Sequence, residues 1–179
     1  MVSAALSGCA QGPQLARFEA MLAAHDSATR ALEQWCQARG IANPALIIAR
    51  PITGHDAPPP AGLHQNLGVG EEEPLGYRHV ALTCGDLVLS QAHNWYVPAR
   101  IPPAMNTALT STATPFGKVV APLKFTRERL SSIHGAPAPC PADTVLAHTA
   151  LLRLPDGSAL AQLVECYTPA ILLGRDVAE

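Results

Sequence analysis

The stretch LAQLVECY, residues 160–167, places a carboxylate where a strand wants hydrocarbon. Read with a period of two, Glu165 shares a face with Leu163 and Tyr167. Charges on an apolar strand face are rare unless they are paired or functional. Working outward, residues Ser158–Tyr167 follow Val145–Leu154 through a turn at Asp156-Gly157, which predicts a β-hairpin. Upstream, Tyr77–Cys84 and Leu87–Val97 flank Gly85-Asp86 and predict a second hairpin. Its first strand carries the counterpart charge, Arg78, on the face of Val80 and Leu82. Two opposite charges on oily strand faces suggest a polar pocket inside a sheet protein. A structural ion pair, or an Arg78 snorkelling out at a strand start, accounts for the same pattern.

Helices come first. Leu15, Phe18, Met21 and Leu22 mark one buried stripe over residues 13–24, with Pro13 suited to the first turn. Asp26 or Ser27 then caps a second helix with Ala28, Leu32, Trp35 and Cys36 inward and Gly40 as its stop. Ala45–Ala49 is an apolar run expected to be a strand buried on both faces. Residues 51–76 are rich in Pro and Gly and predict a long loop, either a cover for a site or a solvated insertion. Ala104–Leu109 and Pro115-Phe116-Gly117 predict short helical turns, while Leu123–Ile133 admits both a strand and a helix. The expectation is one α+β domain spanning residues 1–179, with a mostly antiparallel sheet and helices packed on one face.

Composition narrows the partners. A net charge of −2 with scattered Lys and Arg argues against nucleic acid. No apolar stretch reaches the roughly 18–20 residues of a membrane span. Five cysteines without a CxxC pair predict reduced thiols and a cytoplasmic protein, with neither a zinc knot nor a disulfide framework. Leu6-Ser7-Gly8-Cys9 superficially resembles a lipoprotein cleavage site, but it lacks a basic segment and an apolar segment before it. Seven histidines show no HxxxH or HExxH spacing, so no metal is expected.

Four stretches, in order, resemble the bacterial chorismate lyase family. They are His25-Asp26-Ser27-Ala28-Thr29-Arg30; Arg78 through Gly85-Asp86 to Val97-Pro98; Thr114-Pro115-Phe116-Gly117-Lys118 with Thr126-Arg127; and Glu165 with Pro169 four residues on. The resemblance covers roughly residues 14–173 and implies a six-stranded antiparallel sheet with an internal ligand cavity closed by helical flaps. It implies release of pyruvate from chorismate to give 4-hydroxybenzoate, with no cofactor. Arg78 would grip the ring carboxylate, and Glu165 would meet the hydroxyl end and assist proton movement. The backbone around Ala28, Phe116 and Gly117 would close the pocket.

One departure matters. Asn94 stands where the family carries an arginine, and a dianionic substrate needs a cation there, for which His93, Lys118 or Arg127 are the candidates. Two functions follow: a lyase acting on chorismate or a similar enolpyruvyl substrate, and a non-catalytic binding or sensor protein for an aromatic or cyclic carboxylic acid. Asn94 favours the second; joint retention of Arg78 and Glu165 favours the first. Asp26 is expected to be a helix cap and Arg127 a solvated or sheet-face charge.

Overall fold

A computed structural model of the chain describes residues 11–174. The region around Cys9 therefore lies outside the described residues. Six strands form one antiparallel sheet in the order β1-β2-β3-β6-β5-β4. They are β1 Ile47–Pro51, β2 Gly76–Cys84, β3 Leu87–Tyr96, β4 Thr126–His134, β5 Leu146–Arg153 and β6 Ala159–Tyr167. Both expected hairpins form, the first through Gly85, whose φ of +55° is the left-handed conformation that such a turn needs. The ambiguous segment after Leu123 is a strand, pairing with β5 from Thr126 to His134.

The helices are α1 Gln11–Ala23, α2 Ala28–Ala38, α3 Leu63–Leu67, α4 Pro103–Ser111 and α5 Phe116–Val119. α1 and α2 lay Phe18, Leu22, Leu32 and Trp35 against Ile47, Val80, Leu82 and Tyr167. Phe18 anchors this core with edge-on contacts to Trp35 at 5.2 Å and Tyr167 at 4.9 Å. A second cluster under α4 and α5 joins Leu109, Phe116 and Val120 to Tyr96, Leu152 and Leu163. The two clusters cover the same sheet face and leave a seam between them.

Two expectations about the sheet and its cover change. β1 is an edge strand with alternating burial, Ile47 and Ala49 packed into the helix-covered core and Ile48 on the opposite face 39% exposed. The segment 51–76 contains α3, which buries Leu63 and Leu67 against Trp95, Leu151 and Val164 on the opposite sheet face. Asn66 donates to Gln162 at 3.0 Å, and Arg100 donates to the carbonyls of Leu67, Gly68 and Ala159, so this short helix is pinned to the sheet. Thus the larger helices share one face while α3 covers part of the other.

The cysteines depart furthest from expectation. Cys36 bonds to Cys84 and Cys140 to Cys166, tying α2 to the end of β2 and a Pro-rich link to β6. Partners 48 and 26 residues apart carry no local spacing signal, because the sheet brings them together. No helix among the described residues is long and apolar enough to cross a membrane.

Candidate functional site

The seam between the two cores holds a small, partly open void of about 30 Å³, room for no more than a few waters. Its walls are Val80, Leu82 and Ala92 from β2 and β3, Leu152 and Leu163 from β5 and β6, and Phe116 and Phe125 from the α5 region. Its polar groups are Asn94, Arg127, Glu165 and the turn Asp26–Thr29 at the start of α2. Ser27 is the N-cap of α2, accepting from the Arg30 N–H at 3.4 Å. Gly117 passes so close that an added Cβ would lie 2.9 Å from Ser27 Oγ, which is why the α5 turn can seal against α2.

Glu165 does face this interior, as the alternation of β6 requires, and is 4% exposed. Its partner is Arg127, whose Nη2 donates to Glu165 Oε2 at 2.5 Å, with both side chains about 5% exposed. Arg127 is therefore a buried group and not a solvated one. It is placed on β4 beside Leu152, and its length carries the guanidinium across β5 to β6. Burial alone would lower the Arg127 guanidinium, but the charges of Glu165, Tyr167 and Asp26 hold it above its ordinary value. Tyr167 donates its hydroxyl to the same Glu165 oxygen at 3.0 Å, and burial beside that carboxylate pushes the phenol up. Arg127 also donates to His148 Nδ1 at 3.2 Å; burial lowers His148 to about 4, so it is neutral at pH 7. Asp26 accepts from the Arg127 backbone N–H at 3.2 Å, fastening the α2 turn to β4 in addition to preceding the cap.

Arg78 lies on the same sheet face, opposite Asn94, but it does not line the void. Its Nη1 and Nη2 donate to the carbonyls of Thr114 and Thr112 at 2.9 and 3.0 Å, clasping the strap between α4 and α5. Among the described residues no carboxylate pairs with it, and burial lowers its pKa. Asn94 donates to the Arg78 carbonyl at 3.3 Å and reaches the void.

The structure brings Glu165, Asn94, Ala28, Phe116 and Gly117 to one void, with Arg78 one strand-step away. It separates two other residues. His93 points to the opposite sheet face, where it stacks on His79 with ring centroids 4.0 Å apart. Lys118 reaches Glu33 at 2.5 Å, an ion pair at the surface between α5 and α2. Asn94 alternates with His93, so adjacency in sequence put them on opposite faces. Among the described residues no group of three or more metal-ligating side chains occurs.

No protein-family model matches the sequence. The Uncharacterized protein y4mC of Sinorhizobium fredii is 38% identical over 189 residues, covering 90% of this chain and 80% of that protein. The chain belongs to the y4mC family. Among solved structures, PhnF from Mycobacterium smegmatis superposes with a TM-score of 0.60 at 14% identity, covering 87% of this chain and 69% of that one. The effector domain of PhnF gives 0.56 at 15%, covering 80% and 88%. The ligand-binding domain of a putative GntR-family transcriptional regulator from Bordetella bronchiseptica gives 0.51 at 11%, covering 74% and 89%. At such identities the likeness establishes a shared fold, the chorismate lyase-like arrangement of sheet and helices, in this y4mC-family chain.

Proposed function

We propose that the chain is a binding or sensor protein for a small cyclic or aromatic carboxylic acid, seated in the seam beneath α2, α4 and α5. The observation that carries this reading is Arg78: a buried guanidinium whose partners are two strap carbonyls and no acid. A ligand carboxylate makes stronger, charge-assisted bonds than a neutral carbonyl, so it exchanges for Thr112 and Thr114 and frees the strap. The apolar walls then hold a ring, with backbone at Ala28, Phe116 and Gly117 around it. Glu165 and the unpartnered Arg127 Nε–H take a polar substituent at the far end. Because the void is only about 30 Å³, binding requires the α4–α5 strap to lift, which couples occupancy to shape. The regulator domains that share the fold support this reading as an analogy of architecture.

A second reading, lyase action on chorismate or a close relative, draws on the joint presence of Arg78 and Glu165. Against it, Asn94 supplies no cation for a second carboxylate, and Arg127 is already neutralised by Glu165. Calorimetric titration with 4-hydroxybenzoate, together with an assay for pyruvate release from chorismate, distinguishes the two. The binding reading expects one site, lost in Arg78→Ala, and no pyruvate released from chorismate above the spontaneous rate. Turnover abolished by Glu165→Gln would establish the lyase instead, and the absence of binding by both 4-hydroxybenzoate and benzoate would overturn the binding reading.

A further inference from the structure

Beside Arg78 on the seam face stands an aromatic residue with no part in the site as described. Gly76 and Tyr96 are direct cross-strand partners on β2 and β3, two residues from Arg78 and Asn94. The Tyr96 ring leans across onto β2: a Cβ added at Gly76 would lie 2.2 Å from Cζ and 2.5 and 2.7 Å from the two ring carbons next to it. The tip of the phenol therefore fills the place of the side chain that residue 76 lacks, and a side chain there would displace the ring. Along a strand that place is two residues, roughly 7 Å, from the stem of Arg78 and on the same face.

The ring is fixed while its hydroxyl is left unsatisfied. Tyr96 is 5% exposed, and its ring packs 5.4 Å from that of Phe116, in the cluster that Leu109 of α4 completes beneath the strap. Yet the hydroxyl has no hydrogen-bond partner among the described residues, and it keeps a contact with solvent. A tyrosine this buried ordinarily satisfies its O–H. Arg78 cannot do so, because a guanidinium offers donors only, and its two amino groups already serve Thr114 and Thr112. Burial raises the Tyr96 phenol above its ordinary value, and the charge of Arg78 opposes the rise. The phenol therefore keeps its proton at pH 7 and is a donor with no acceptor.

We propose that Tyr96 is a ligand-binding residue of the seam, its hydroxyl donating to the carboxylate that Arg78 grips, and that the pair selects a carboxylate over a carboxamide. This inference rests on the binding reading given above. Lifting the strap takes Thr112, Thr114 and Phe116 away from Arg78 and Tyr96 together, so one movement uncovers both donors. A carboxylate offers acceptors on both oxygens, enough for two guanidinium N–H groups and one phenol O–H. A carboxamide turns its NH₂ towards at least one of these donors and leaves it unpaired.

Calorimetric titration of the full chain with benzoate and benzamide at pH 7 tests the pair. Wild type should bind benzoate at least about tenfold more tightly than benzamide. Tyr96→Phe keeps the ring over Gly76 and removes only the hydroxyl, so benzoate affinity should fall about tenfold while the urea midpoint stays in place. Tyr96→3-fluorotyrosine, a more acidic phenol of nearly the same shape, should bind benzoate more tightly than wild type, whereas a residue that only packs would leave affinity unmoved. Equal benzoate affinity in wild type and Tyr96→Phe, with binding still lost in Arg78→Ala, overturns this inference and leaves the binding reading standing. So does a benzamide affinity that matches that of benzoate. Binding of neither benzoate nor 4-hydroxybenzoate by wild type removes the binding reading itself. Should Tyr96→Phe impair folding, the fluorinated protein decides alone, and an unchanged or weaker benzoate affinity there overturns the proposal.

Discussion

The two faces of this sheet manage buried polar groups in opposite ways. On the helix-covered face, Arg127, Glu165 and Tyr167 form a charged, hydrogen-bonded network around a void of about 30 Å³, with the Arg127 Nε–H and His148 Nε2 left unpartnered. On the other face, His79 and His93 are neutral and stacked beside an open cleft of about 520 Å³, with both Nε2 atoms buried and unpartnered. The difference follows from cover. Helices α1, α2, α4 and α5 cover one side, where Glu165 and Arg127 offset each other's charge and Arg78 is held by two strap carbonyls. Among the described residues the short α3, loop residues such as Ala57, Val69 and Leu75 and a disulfide-tethered link lie over the other, and a neutral imidazole tolerates that partial shelter.

The largest effect should come from breaking the charged network. Glu165→Leu leaves Arg127 buried and unpaired and should cost about 3–5 kcal/mol in urea unfolding. The double variant Glu165→Leu, Arg127→Met removes both charges and should recover most of that loss. A double variant no more stable than Glu165→Leu would show that the pair is not the unit that matters. Opening the Cys140–Cys166 bond with Cys140→Ser should cost about 2–4 kcal/mol by freeing a loop of 26 residues in the unfolded chain. The same variant should loosen the histidine cleft while leaving the Glu165 side intact.

Acid compares the faces directly. His93 on one face and His148 on the other are each held at about 4, burial being the main cause in both. The unfolded chain titrates these groups near 6.5, so between pH 6.5 and 4 it binds protons that the folded chain refuses. Stability present above 6.5 is therefore lost as the pH falls through that window, by on the order of 2–3 kcal/mol for each residue. Replacing either histidine with Gln should flatten part of the slope, and unfolding curves at pH 7 and pH 5 read the effect. The smallest effect is expected at the α2 cap. Ser27→Ala should cost about 0.5–1 kcal/mol of stability, because the capping bond is long at 3.4 Å.

Much of the fold was legible because its signals are local. The two hairpins, the α1 and α2 stripes and the facing of Glu165 follow from periods of 2 and 3.6 and from turn residues. The seam was only half legible. Arg78 and Glu165 share a face as the alternation demands, yet the ion pair belongs to Arg127, whose segment Leu123–Ile133 has no clean period. The burial of Arg127 depends on β4 standing two strands from β6, which no spacing encodes. The histidine cleft had no motif either, since His79 and His93 are 14 residues apart and meet only through the register of β2 and β3.

The sequence by itself determined the α+β class, the hairpins and the presence of two opposite charges on interior strand faces, because those depend on neighbours along the chain. Tertiary structure alone decided which charge meets which, which cysteines join and how small the seam void is. Each of those depends on strand order and on what covers each face, and a long-range pairing leaves no periodic trace in the residues that make it.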